Sequence, residues 1–459
     1  MRPGLLAGLA VFKGGSDMSN PYLPNWEYIP DGEPRVFGDR VYIYGSHDVS
    51  DSAFFCDYVL KVWSAPVDAP GNWVCHGVSF RTRMDKDHPS DTDWTDNYLY
   101  APDVVEKDGK YYLYAYIFGS KGCVAVSDKP EGPFKLVSQY KYNIDKHYDD
   151  GTFIDPGVLV DDDGRVYVYC GYQGSYMCEL NSDNMYEVID GTYMENIIPV
   201  EEPFEFFEAC SPRKIGDTYY LIYSPRKGSR LAYATADSPR GPFTYRGYIV
   251  DNSDKYPGGN DHGSICKIKD QWYIFYHRMT NGTIMSRRGC VERIEILPDG
   301  SIPLVKMTSL GFEESLNPYE ITPADTACVL VGDEKTLMIT QLDTFTRVIT
   351  GITEGSVMGW KYFDFGVDTA SLEMLLELKV IPRGCSGKLI IRLDSEDGEE
   401  IGSCVIGAGD RIVKCPVKAV TGRHAVFMIA ESAHEGWDWT KDYFVNRQLF
   451  DLEAFVFTK

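Results

Sequence analysis

The sequence predicts an all-β protein: a five-bladed β-propeller followed by a jelly-roll-like β-sandwich. Three observations carry that prediction. A strand-turn-strand unit recurs five times, the recurrence stops near residue 310, and short strands without that period fill the chain beyond about residue 326. A repeat of roughly fifty residues holding several strands cannot bury its own faces and has to pack on copies of itself, as propeller blades do. Residues 204–243 show the unit in full: Glu208 among aromatics, an apolar strand, the turn Gly216-Asp217, an aromatic strand from Tyr219 to Tyr223, a third strand from Leu231 to Ala234, and the closing DSPRGPF.

In chain order the core of the unit reads EPRVFGDRVYIYGSHD, APDVVEKDGKYYLYAYI, DPGVLVDDDGRVYVYCGY, SPRKIGDTYYLIYSP and SICKIKDQWYIFYHR. Each pairs an alternating apolar strand with a β-branched and aromatic one through a short turn such as Asp-Gly or Gly-Asp. The aromatic strands begin near Val41, Tyr111, Val166, Tyr219 and Trp272, so the last four copies are about 53 to 55 residues apart. The first gap, near 70, calls for an insertion, assigned to residues 79–97. The blade endings repeat as SAPVDAPGNW, SDKPEGPF and ADSPRGPF, and the third blade lacks one.

Residues 1–19 form an N-terminal extension, 20–310 the propeller, 311–325 a linker and 326–459 the sandwich. A ring has to be closed, so the segment NPYLPNWEYIP is expected to complete or latch the last sheet, with residues 291–312 supplying a final strand pair. The sandwich strands are read as CVLVGD, TLMITQL, GWKYFDFGV, SLEMLLELKVIP, GKLIIRLD, GSCVIGAG, HAVFMIAES and LEAFVFTK. This part resembles a family 6 carbohydrate-binding module, which implies either a glycan-binding role or a brace for the propeller.

A formal net charge of −23 disfavours nucleic acid and anionic membrane surfaces as partners. No stretch is long enough to span a bilayer. Twelve cysteines without a paired spacing read as buried reduced thiols, and the opening MRPGLLAGLAVFKGGSDM has no convincing cleavage site. Both favour the cytoplasm.

Aligning the copies on their turns places Asp31, Asp103, Asp155, Glu208 and His262 at equivalent points near the start of the innermost strand. In a propeller those points converge on one end of the axis, so five ionisable groups are expected to meet there. Carboxylates with a histidine can bind a metal, act as acid and base, or do both. Glycoside hydrolysis needs one carboxyl kept protonated and another kept ionised, and crowding separates their titrations. Glu27, Glu33 and Glu205 lie nearby and read as solvated or capping residues.

At these residues, over roughly 20–310, the chain resembles glycoside hydrolase family 43, five-bladed propeller enzymes acting on xylan and arabinan side chains and oligosaccharides. The resemblance implies that Asp31 in YIPDGEP is the general base, that Asp155 in FIDPGV tunes and orients the acid, and that Glu208 in FFEACSP is the general acid. It implies that His262 in GNDHGSI sits on the axis beneath the sugar beside a calcium ion, with no cofactor needed for chemistry, and that Asp103 in APDVV is structural, holding the loop of Tyr100. Asp31 precedes Gly-Glu-Pro and Glu208 precedes Ala-Cys, departures from the usual pattern that weaken transfer of the substrate. Trp94, Tyr98 and Phe207 are candidate sugar-stacking rings and Arg278 a candidate donor to a sugar hydroxyl. The implied activity is inverting, exo-acting release of a terminal β-xylose or α-L-arabinofuranose from oligosaccharides. The alternatives are an endo-arabinanase or galactosidase of the same family, or a non-catalytic sugar-binding propeller.

Overall fold

A computed structural model describes residues 19–119, 122–139, 153–253, 255–259, 261–333, 335–367, 373–433 and 447–459. Most of the N-terminal extension, residues 1–18, therefore lies outside the described residues. The repeats form five antiparallel sheets with strands in chain order. Blade I comprises β1 (Glu33–Phe37), β2 (Arg40–Tyr44), β3 (Val59–Pro66) and β4 (Val74–Arg81). Blade II has β5 (Leu99–Lys107), β6 (Lys110–Ile117), β7 (Cys123–Ser127) and β8 (Lys135–Gln139). Blade III holds β9 (Gly157–Val160), β10 (Val166–Cys170), β11 (Tyr176–Leu180) and β12 (Met194–Glu195), whose outer strand is short where the closing motif is missing. Blade IV contains β13 (Phe206–Ile215), β14 (Thr218–Pro225), β15 (Arg230–Ala236) and β16 (Thr244–Asp251), and blade V contains β17 (Ser264–Ile268), β18 (Gln271–Thr280) and β19 (Thr283–Ile294).

The first strands make the ring: β1 packs beside β5, β5 beside β9, β9 beside β13, and β17 beside β1. The remaining seam, between β13 and β17, is joined by Arg213 Nε donating to the Ile265 carbonyl at 2.9 Å and by the Ser211 and Ser264 hydroxyls, 2.6 Å apart. Blade V has three strands among the described residues, not the expected further pair, because the chain after β19 leaves the sheet and meets blade IV through a bridge from Val305 to Val250. The N-terminal segment latches this blade as expected. Tyr22 donates its amide to Gly289 at 3.2 Å, and Asn20, fully buried, donates its side-chain amide to Val291 at 2.8 Å.

The additional length of the first repeat is divided between two loops. Residues 79–81 of the expected insertion belong to β4, and residues 45–58, between β2 and β3, form the loop that matters for the site.

The C-terminal strands are β20 (Thr322–Pro323), β21 (Val329–Val331), β22 (Met338–Gln341), β23 (Arg347–Ile352), β24 (Val357–Asp364), β25 (Glu373–Pro382), β26 (Gly387–Leu393), β27 (Glu400–Ile406), β28 (Ile412–Lys418), β29 (Arg423–Ser432) and β30 (Phe450–Thr458). They make two facing sheets, β22-β23-β30-β25-β28 with β20 against β30, and β21-β24-β29-β26-β27. Their apolar faces close on Trp360, Phe363, Phe455 and Phe457. The same core continues into blades IV and V through Ile222, Tyr233, Ile274 and Tyr276, so the sandwich is fused to the propeller by buried apolar surface. The segment read as a linker is packed as well: Phe312 sits among Tyr22, Trp73 and Phe275.

Candidate active site

One cavity of about 1040 Å³ opens at the end of the axis where the inner strands begin, and Asp31, Asp155, Glu208 and His262 all line it. Backbone geometry aims these groups. Asp31 and Asp155 have φ of 58° and 53°, left-handed conformations that Asp tolerates better than most residues. Glu208 lies between two register shifts of β13, with Ala209 at φ 68°. Such bulges turn a side chain out of the alternation of its strand.

The fifth aligned residue behaves differently. Asp103 is fully buried within the ring, where Arg35 grips it with Nε at 3.0 Å and Nη2 at 2.6 Å, and it accepts the Val158 amide at 2.8 Å. It ties β1, β5 and β9 together, so four of the five aligned groups meet in the cavity. The register shift in β5 between Tyr100 and Asp103 is the reason: it presents Tyr100 to the cavity and leaves Asp103 below.

Asp31 is held as an anion. Arg287 Nη1 donates to Oδ1 at 2.8 Å and the Ser46 hydroxyl to Oδ2 at 2.6 Å. Burial opposes ionisation, yet Arg287, with the nearby imidazoles and Ser46, holds the carboxyl at about pKa 2. Arg287 is itself fixed by Asp48, which accepts from Nε and Nη2 at 2.9 Å each. Asp155 is the opposite case. Burial, then the adjacent Glu208 and Asp31 carboxyls, push it well above the ordinary range, while the Ala209 amide pulls the other way. The two sides of the cavity are therefore pushed in opposite directions: Arg287 favours the anion of Asp31, while burial and the neighbouring carboxyls favour the protonated form of Asp155.

His262 is 5% exposed, with Nδ1 3.6 Å from Asp31 Oδ1 and 3.9 Å from Asp155 Oδ2. Burial holds its pKa below the usual value, which favours neutral imidazole. The guanidinium of Arg287, which keeps its proton, is thus the charge that sustains Asp31. Glu33 Oε1 is buried without a hydrogen-bond partner, while Oε2 accepts from Arg213 at 2.8 Å. Calcium takes six to eight oxygen ligands. Among the described residues no group of three His, Cys, Asp or Glu is placed to hold a metal, and both Asp31 oxygens are engaged. The protein side chains alone do not make a calcium site.

The other candidates divide. Phe207 lines the cavity, its ring 5.0 Å from Tyr172 in an edge contact. Tyr98 lies one ring back, stacked on Tyr58 at 4.4 Å and supporting Phe54, which does line it. Trp94 packs against the core between blades I and II. Arg278 points away from the cavity, donating to the carbonyls of Ala327 and Thr308 at 2.8 Å each. Glu27 and Glu33 are not solvated: each is 2% exposed, Glu27 bonded to Lys61, His47 and Trp63, and Glu33 to Arg213. Reading the sequence missed Arg287 and the ring-bearing loop at Phe54 and Phe55. The long gap between the first two aromatic strands was the signal for that loop, since the extra length is shared between residues 45–58 and the assigned stretch after β4; Arg287, within β19, had no such signal.

A closed five-bladed ring that gathers Asp31, Asp155 and Glu208 around one cavity provides the set of carboxyls that propeller glycosidases use. The chain belongs to the glycosyl hydrolases family 43, whose pattern matches residues 37–302. A xylosidase/arabinosidase of Thermoclostridium stercorarium is 39% identical over 440 residues, covering 83% of this chain and 89% of the relative. A family 43 β-xylosidase/α-arabinofuranosidase from a compost microbial metagenome, solved with xylotriose in a calcium-free form, matches with a TM-score of 0.52 and 30% identity over 64% of this chain and 98% of that one. An arabinoxylan arabinofuranohydrolase of the family from Bacillus subtilis, solved with cellotetraose, matches 97% of this chain and 98% of its own with a TM-score of 0.53; at 24% identity the likeness is one of fold.

Proposed function

We propose that this glycosidase releases a terminal β-xylose or α-L-arabinofuranose from plant-derived oligosaccharides with inversion. Asp31 acts as general base, Glu208 as general acid, and Asp155 positions and tunes Glu208. The observation that carries the reading is the gathering of Asp31, gripped by Arg287 and Ser46, with Asp155 and Glu208 around one cavity. An ionised Asp31 can take a proton from water attacking the anomeric carbon, and a carboxyl pair holding a proton can give it to the leaving oxygen as the glycosidic bond breaks. Water's hydroxide becomes the new anomeric substituent, so the products are the free pentose and the shortened chain. Relatives named as xylosidase/arabinosidase, and one solved with xylotriose, support the pentose.

A calcium ion near His262, held mainly through water, is the finer reading of the axis, supported by the neutral imidazole and the unpartnered Glu33 Oε1. The twelve unpaired cysteines support a reducing, cytoplasmic setting. The test is a panel of nitrophenyl β-xyloside, α-L-arabinofuranoside and β-galactoside, with proton NMR of the first-formed anomer. Cleavage of a pentoside with inversion is expected. Retention sinks the roles of Asp31 and Glu208, and activity confined to the galactoside sinks the pentose.

A further inference from the structure

We propose that the sandwich is a wall of the catalytic cavity and forms the subsite for the oligosaccharide chain on the leaving-group side of the bond. The inference rests on the pentosidase reading and adds to it which part of the protein holds the rest of the substrate. Leu330, Val331, Gly332, Asp333 and Leu337, all from the sandwich, line the same cavity as Asp31 and Glu208. At about 1040 Å³ the cavity is at the upper end of the range that binds drug-sized ligands, more than one pentose fills.

The wall is built in, and its attachments lead to the chemistry. The Leu330 amide donates to the Lys255 carbonyl at 2.8 Å, fastening β21 to the segment whose Tyr256, Pro257, Gly258 and Gly259 line the cavity just before His262. Strand β22 sits on the hairpin tip between β18 and β19, where the Asn281 amide donates to Ile339 at 2.7 Å and the Gln341 amide to Asn281 Oδ1 at 3.0 Å. Asn281 Nδ2 also donates to the Ser50 hydroxyl at 3.0 Å, which donates to Gln341 Oε1 at 2.6 Å. Ser50 belongs to the loop that carries Phe54 and Phe55, and Ile284 follows the hairpin tip into the cavity. One polar knot thus sets the spacing between the sandwich, the ring-bearing loop of blade I and the hairpin of blade V. The wall offers an apolar strip, Leu330 and Val331, with the exposed acceptor Asp333 beside it, in a cavity that the rings of Phe207 and Tyr172 also line. Sugar units present apolar ring faces and hydroxyl edges, and a slot of this composition suits both.

The experiment is calorimetric titration of xylose and of xylotetraose into the Glu208→Gln protein, alone and with either Val331→Trp, which fills the slot, or Asn281→Gly, which unties the knot. Asn281 has φ 56°, which glycine adopts freely, so the second change removes only the side-chain bonds. The expected result is a fall of about tenfold in the affinity ratio of tetraose to monosaccharide for Val331→Trp, with a smaller fall for Asn281→Gly. An unmoved ratio in both, at an unchanged melting temperature, overturns the wall and leaves the sandwich as a brace. If Val331→Trp lowers the melting temperature, Asn281→Gly decides. Failure of the Glu208→Gln protein to bind either sugar overturns the pentosidase reading itself, and with it the chain chemistry assigned to the slot.

Discussion

Asp31 illustrates how much of the chemistry depends on one neighbour. An ordinary aspartate titrates near pH 4, and Arg287, with the nearby imidazoles and Ser46, holds this one at about 2 against the opposing effect of burial. In its proposed role as base Asp31 therefore stays ionised throughout the working range, and the acid limb of kcat/KM is expected below about pH 4; a limb at pH 6 in a folded enzyme would assign the base elsewhere. The acid answers to a different test. Glu208→Ala is expected to lose about a hundredfold to ten-thousandfold on a natural disaccharide but little on a dinitrophenyl glycoside, whose leaving group needs no proton. Asp31→Ala loses both substrates, because water must still be deprotonated. Asp155→Asn removes a carboxyl that crowds Glu208, so Glu208 gives up its proton more readily and the alkaline limb moves to lower pH; a limb that stays put or rises contradicts the tuning role.

Among the elements, β9 and β13 approach each other closely beside the site. A methyl group on Gly157 would lie 2.1 Å from the Cys210 carbonyl oxygen. Gly157→Ala is expected to cost about 1–3 kcal/mol in urea unfolding and to lower kcat by shifting Asp155 against Glu208. Asp103→Ala breaks the buried pair with Arg35 and is expected to cost about 3–5 kcal/mol of stability, while the acid and base limbs of the pH profile keep their positions. These elements also mark what the sequence disclosed. The repeat period gave the blades, and register within it brought Asp31, Asp155, Glu208 and His262 to one place, because hairpin turns fix inner-strand alignment. Asp103 escaped that logic because a bulge shifts register by a step that strand patterning does not encode. Arg278 pairs with Arg288 and Arg287 with Met279 on adjacent rungs of β18 and β19, so alternation sends Arg278 and Arg287 to opposite faces, and strand pattern alone does not tell which face meets the cavity. Strands β23 and β28 were missed because RVITGI holds Gly351 and IVKCPVK holds Pro416, residues that read as breaks in a strand pattern.

At the scale of the molecule, propeller and sandwich share one apolar core, in which Trp360 is fully buried. Trp360→Ala, a loss of about 3–5 kcal/mol, is therefore expected to lower the unfolding temperature of both parts together in calorimetry, whereas two separated endotherms would show that the core does not couple them. The latch of Asn20 on Val291 joins residues 271 apart in the chain. On the ribosome, the first residues of the propeller emerge long before their partner exists. Blades I to IV can form their hairpins in turn, but the ring stays open until residues beyond Ser309 have been made, and the apolar flank of blades IV and V stays bare until the sandwich follows. The interval between those events is when the nascent protein is most exposed to aggregation, and slowing synthesis over residues 310–459 would lengthen it.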